Sequence, residues 1–117
     1  MEFICYPKCS TCQKAKKWLD ENKIVYTERH IVEANPSAEE LKMWYKRSGL
    51  PLKKFFNTSG LLYKSMQLKE KLDGMSEEKQ LELLASDGKL VKRPLVIGED
   101  FVLVGFKPEE WKTVLLK

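Results

Sequence analysis

Apolar and polar positions change their period along the chain, and each change marks an element. Residues 2–6, Glu-Phe-Ile-Cys-Tyr, are a short apolar and aromatic run that stops at Pro7, the signature of a buried first strand. From Ser10 the period lengthens: Cys12, Ala15, Trp18 and Leu19 recur at helical spacing, while Lys14, Lys16, Lys17, Asp20 and Glu21 face outward. Asn22 and Lys23 close this helix, and the apolar residues 24–27 predict a second strand. Two strands joined by a crossover helix form a right-handed βαβ unit, so the strands are expected to run parallel.

From Asn35 the pattern is helical only. Ser37 and Glu40 form a capping box ahead of Leu41, Trp44 and Tyr45, and Gly49 with Pro51 ends that run. Leu68 with Leu72, then Leu81, Leu84 and Ala85, predict two further short helices punctuated by Gly60, Gly74 and Gly88. After Arg93 and Pro94, the runs 95–97 and 101–104 are apolar strands separated by Gly98, Glu99 and Asp100, an antiparallel hairpin. Pro108 opens a last helix with Glu109 and Glu110 in its first turn and a Trp111, Val114, Leu115 stripe. The order βαβ, helices, ββα is that of an α/β, thioredoxin-like fold with a mixed four-stranded sheet. Residues 1–117 then form one domain, with residues 35–90 as a helical insertion between its halves.

Composition narrows the function. With 43% apolar residues a core can form, and a net charge of +4 from interspersed lysines lacks the dense basic stripe that direct nucleic-acid binding requires. The N-terminus shows no signal-peptide pattern and no apolar run is long enough for a membrane span, so the expectation is a cytoplasmic protein, monomeric and without membrane contact. All three cysteines, Cys5, Cys9 and Cys12, fall within the first dozen residues, unlike a disulfide framework that staples distant segments.

Cys9 and Cys12 are spaced as CxxC where a strand enters a helix. There the unpaired first-turn N–H groups and the helix dipole favour an anion, so a Cys9 thiolate is stabilised, with Lys8 adding positive charge and Ser10 and Thr11 completing the loop. Cys12, one turn further in, lies within disulfide reach and would resolve a mixed disulfide. A zinc site is the alternative reading of CxxC, but tetrahedral closure needs four ligands, and the chain has no second CxxC and one histidine, His30. A purely structural pair is the other alternative. Cys5, inside a strand, reads as a small buried hydrophobe, and His30 as a packed or surface residue.

Arg93-Pro94 is the second constellation. A proline directly before an apolar strand in a thioredoxin-like fold is expected in the cis form, facing the redox pair. Arg93 is then placed to hold a thiolate, oxyanion or carboxylate near Cys9 by bidentate hydrogen bonds, the alternative being a solvated arginine in a basic run.

On Tyr6-Pro7-Lys8-Cys9-Ser10-Thr11-Cys12, Lys14-Ala15-Lys16-Lys17-Trp18-Leu19, Lys92-Arg93-Pro94-Leu95-Val96-Ile97 and Val104-Gly105-Phe106, the chain resembles the family that groups glutaredoxin-coupled arsenate reductases with the Spx and MgsR redox regulators. The match spans nearly the whole length and looks nearest to the uncharacterised arsenate-reductase-related members. The resemblance implies a thioredoxin-like core with a helical insertion. In the reductases a cysteine at the position of Cys9 attacks arsenate, several arginines hold the oxyanion, and glutaredoxin with glutathione resolves the adduct. Here only Arg93 matches clearly; Lys53-Lys54 and Lys107 stand in the regions expected to supply other arginines, and a lysine lacks the bidentate fork. With Cys12 also foreign to that subgroup's loop, the resemblance points away from arsenate. The Spx-like members use CxxC as an oxidation switch and bind the C-terminal domain of the RNA polymerase α subunit near a glycine. Gly49 before Leu50-Pro51 is the matching candidate, although a helix C-cap explains it equally well. The first reading is therefore a thiol-disulfide oxidoreductase reduced by a glutaredoxin or thioredoxin-type protein or a small thiol such as glutathione, with no resident cofactor or metal. The second is a redox-sensing regulator.

Overall fold

Strand β1 (Glu2–Cys5) is buried at three of its four residues because strands flank it on both sides. The computed structural model describes residues 1–116. After β1 come α1 (Ser10–Glu21) and β2 (Thr27–His30), then α2 (Ala38–Ser48), α3 (Leu61–Ser65), α4 (Leu68–Lys71) and α5 (Glu77–Ser86). The chain returns through β3 (Leu95–Ile97) and β4 (Val102–Val104) to α6 (Pro108–Leu115). Sheet order is β2-β1-β3-β4, with β1 and β2 parallel from Glu2↔Thr27 to Cys5↔His30. β1 and β3 are antiparallel, as are β3 and β4, which completes the mixed α/β sheet of a thioredoxin-like fold.

Alternation along the strands splits the core between the two sheet faces. Phe3, Cys5, Val96 and Leu103 pack with Cys12, Ala15, Leu19 and Trp111 from α1 and α6. Ile4, Leu95, Ile97 and Val104 meet Leu41, Trp44, Phe55, Leu68 and Leu84 from the helices between β2 and β3. Each such fully buried large side chain contributes roughly 1.5–3 kcal/mol. Trp111 anchors its face edge-on against Phe106 (4.9 Å between centroids), Trp18 (5.9 Å) and Phe3 (6.5 Å).

Local chemistry sets the helix ends. The Ser37 hydroxyl accepts the Glu40 amide at 3.1 Å while the Glu40 carboxylate accepts the Ser37 amide at 3.1 Å, closing the capping box. Gly49 ends α2 at φ 70°, a left-handed conformation that a side chain would strain. The Glu40 carboxylate also receives two bonds from Arg29 of β2, at 2.8 and 2.9 Å, which tie α2 to the sheet edge.

The second strand differs from the expectation. It begins at Thr27 and runs to His30, and the apolar residues 24–26 are its approach. As an edge strand it needs no apolar alternation, and it carries the polar sequence Thr-Glu-Arg-His. Val25 is 91% exposed, whereas Ile24 and Tyr26 lean on the α1 face of the core. α3 and three short 3-10 turns (Leu52–Phe55, Leu72–Gly74, Gly88–Leu90) also escape the periodicity, being too short to show it. Among the described residues no helix is long and apolar enough to cross a membrane.

Candidate functional site

The turn from β1 into α1 aims Cys9 outward and Cys12 inward. The Cys9 amide donates to the Tyr6 carbonyl at 2.9 Å, and the Cys9 carbonyl accepts the Gln13 amide at 3.0 Å, the first bond of the helix. Cys9 is therefore the N-cap, in extended conformation (φ −85°, ψ 124°), with its side chain making no capping bond. Its sulfur lies at the end where the first-turn amides of Ser10, Thr11 and Cys12 lack helical acceptors. The Gln13 side chain donates to the Pro7 carbonyl at 3.0 Å and braces the turn.

Cys12 is 2% exposed, beneath Cys9, and the Tyr6 amide donates to its sulfur at 3.3 Å. It shares a buried cluster with Cys5, against which Cys9 packs. The bond to Cys5, followed by burial, pushes the Cys12 thiol far above the usual thiol range, against the opposing pull of the Tyr6 amide and Cys9. Cys5 moves the other way: the hydrogen bond from Cys12 draws it below that range despite burial.

The Arg93–Pro94 peptide is cis, as the sequence led one to expect. The Gly105 amide, at φ 78°, donates to the Pro94 carbonyl at 2.9 Å, and the Gly105 carbonyl accepts the indole N–H of Trp111 at 3.0 Å. The Lys92 amide donates to the Phe55 carbonyl at 2.7 Å and the Asn57 amide to the Leu90 carbonyl at 2.8 Å. These bonds draw the segment after α2, the approach to Arg93 and the end of β4 around the Cys9 turn.

Between them opens a groove of about 1030 Å³. Cys9 and Thr11 line it together with five cations, Lys53, Lys54, Lys92, Arg93 and Lys107, and among the described residues no carboxylate is in its wall. Leu50, Phe56, Leu61 and Phe106 supply apolar surface, with Leu61 86% exposed. The Arg93 guanidinium lies over the Tyr6 ring, 5.0 Å from its centroid, and reaches the Lys89 carbonyl at 3.5 Å. The arrangement can attract an anionic molecule and present it to a sulfur.

Of the residues singled out from sequence, Cys9, Thr11 and Arg93 meet at the groove, Cys12 lies under Cys9, and Pro94 is buried behind Arg93. Lys8 and Ser10 are exposed on the same turn but outside the groove wall. Lys92 was not singled out; Lys53, Lys54 and Lys107 stand in the regions where the resemblance expects oxyanion-holding arginines, and they line the groove with Cys9. His30 accepts the Val32 and Glu33 amides on Nδ1, both at 3.1 Å, and so shapes the turn after β2.

The family model of the ArsC family matches residues 5–114. YusI, an uncharacterised protein of Bacillus subtilis, is 58% identical over 96% of this chain and 95% of its own. MgsR, a regulatory protein of the same organism, is 30% identical over 94% of this chain and 86% of its own. The crystal structure of an ArsC-family-related protein from Bacteroides fragilis has 67% identity and a TM-score of 0.93, covering 95% of this chain and 93% of that one. Spx global transcriptional regulators and a solved arsenate reductase from Vibrio cholerae are further relatives.

Proposed function

The chain belongs to the ArsC family, and from that premise we propose that it is a thiol-disulfide oxidoreductase in which Cys9 attacks and Cys12 resolves. The observation that carries this reading is the N-cap position of Cys9 at the mouth of a groove walled by five cations, with Cys12 buried beneath it in the first turn of α1. The Cys9 thiolate attacks one sulfur of an anionic disulfide, forms a mixed disulfide and expels the other half as a thiolate. Arg93 and the groove lysines hold the carboxylates of the bound half. Cys12 then gives up its proton and attacks the Cys9 sulfur, releasing the second half and closing the Cys9–Cys12 disulfide. A glutaredoxin or thioredoxin-type protein, or a small cellular thiol, returns the pair to the dithiol.

Arsenate fits this wall less well. Four of its five cations are lysines, which offer point charges without the bidentate fork, and the groove far exceeds a tetrahedral oxyanion. The test is turnover of an anionic disulfide: Cys9→Ser should abolish it, and Cys12→Ser should accumulate the mixed disulfide. Full turnover by Cys9→Ser overturns the assignment.

The relatives named as regulators favour a second reading, a redox-sensing regulator that binds the RNA polymerase α C-terminal domain. Gly49, left-handed and exposed, leads into Leu50 and Pro51 at the groove, where a partner would sense the state of Cys9. Capture of that domain by the reduced and the oxidised protein is the check, and failure of both states to bind removes this reading.

A further inference from the structure

Cys5 has no part in the reaction above, yet it is buried in the same core cluster as Cys12. Cys5 ends β1, is 3% exposed, and shares with Cys12 the core cluster between the sheet and α1. The Tyr6 amide that points at the Cys12 sulfur belongs to the residue after Cys5, so the Cys12 side chain rests on the backbone at Cys5. Cys9, only partly buried, packs against the same cluster from the groove side. Cys12 therefore has Cys5 in its own buried cluster and Cys9 one turn away at the start of α1. Thiol-disulfide exchange proceeds by attack on one sulfur of a disulfide with departure of the other, so a thiol packed beside Cys12 is placed to displace Cys9.

We propose that Cys5 is a second resolving residue, which moves the Cys9–Cys12 disulfide inward to a buried Cys5–Cys12 disulfide and sets Cys9 free. The inference rests on the Cys9–Cys12 reading. The Cys5 sulfur bonds to the Cys12 sulfur as the Cys12–Cys9 bond breaks, and the electron pair leaves with Cys9. Cys5 is oxidised and Cys9 reduced by the same amount, so no outside oxidant enters, and the proton lost by Cys5 ends on Cys9. An exposed disulfide is open to attack by a reducing thiol, whereas one closed beneath α1 is shielded. The relay therefore stores the oxidised state in the core and rearms the surface sulfur for a second encounter.

Trypsin separates the alternatives, because cleavage after Lys8 and Lys14 puts Cys5 in the peptide of residues 1–8 and both other cysteines in that of residues 9–14. The wild-type chain is oxidised with diamide, which takes up two electrons and two protons, then blocked with N-ethylmaleimide, digested without reductant and weighed by mass spectrometry. The relay requires peptide 1–8 disulfide-linked to peptide 9–14, accumulating with time at the expense of the loop within 9–14. Cys9→Ser, which lacks the disulfide the relay starts from, should form the linked pair far more slowly than wild type, while Cys12→Ser and Cys5→Ala should lose it. If wild type gives no linked pair while it forms the loop within 9–14, or if Cys9→Ser forms the linked pair as fast as wild type, the relay is overturned and the Cys9–Cys12 reading stands. Absence of both products overturns the two together. A linked pair that survives in Cys12→Ser also overturns the relay, because Cys9 would then be the partner of Cys5.

Discussion

The guanidinium of Arg93 lies 5.0 Å from the centroid of the Tyr6 ring, so this cation at the rim of the Cys9 groove is held by an aromatic face and, apart from one long contact to the Lys89 carbonyl, keeps its donors for a ligand. Arg93→Ala should lower kcat/KM for an anionic disulfide by about tenfold or more, a charge-assisted hydrogen bond contributing about 1.5–3 kcal/mol. Arg93→Lys should recover part of the loss, because it restores charge without the fork. Steady-state kinetics of the three forms is the measurement.

Lys53 and Lys54 act on approach. Replacing both by Gln should slow the reaction with an anionic disulfide at low salt and flatten its dependence on ionic strength, while a neutral disulfide reacts unchanged. Equal slowing with both substrates would contradict the electrostatic role. Rates across a salt series check it.

The Arg29–Glu40 pair makes stability depend on pH. The Arg29 hydrogen bonds hold the Glu40 carboxyl down at about 2, from an ordinary value of 4.5. A carboxyl lowered by folding stabilises the protein above its unfolded value and loses that contribution as pH falls from about 4.5 towards 2. Glu40 is partly open to solvent, so screening reduces the contribution to about 1–2 kcal/mol. Glu40→Gln, which can still close the capping box, should therefore be less stable than wild type by about that amount at pH 7 and equal to it near pH 2. Urea unfolding at both pH values gives the answer.

Gly88 cannot carry a side chain where it sits. A Cβ there would lie 1.9 Å from the Ile31 carbonyl oxygen, and backbone cannot move aside as a side-chain tip does. Gly88→Ala should cost about 1–3 kcal/mol, seen as a fall in Tm of several degrees. A Tm within a degree of wild type would show that the turn before β3 yields freely.

What the sequence discloses depends on how each element is buried. β1 and α1 were legible because a strand enclosed on both edges is apolar throughout and a helix on one face repeats at its own pitch. The second strand was misplaced because its pairing is backbone work at a polar edge, while the apolar Val25 beside it faces water. CxxC at a strand-to-helix junction and the proline after Arg93 located two walls of the site, since both are short-range features. The cation wall is legible only in part: the resemblance points to Arg93 and to the regions of Lys53, Lys54 and Lys107, whereas nothing among the 21 Lys and Arg residues distinguishes Lys92, and no spacing rule brings the five together at Cys9. Cys5 read correctly as a buried thiol, but its bond to Cys12 crosses a turn whose shape no spacing rule supplies.

The pairing of β1 with β3, Glu2 against Ile97, has a kinetic consequence. β1, α1 and β2 meet through a short crossover, so this half closes over a small loop, whereas β3 docks only after a much longer stretch of chain has been gathered. The cysteines ride on the half that closes cheaply and Arg93 on the half that arrives late. A nascent molecule accordingly owns its sulfurs before it owns the cation that serves them, and its thiols pass through an interval without that neighbour.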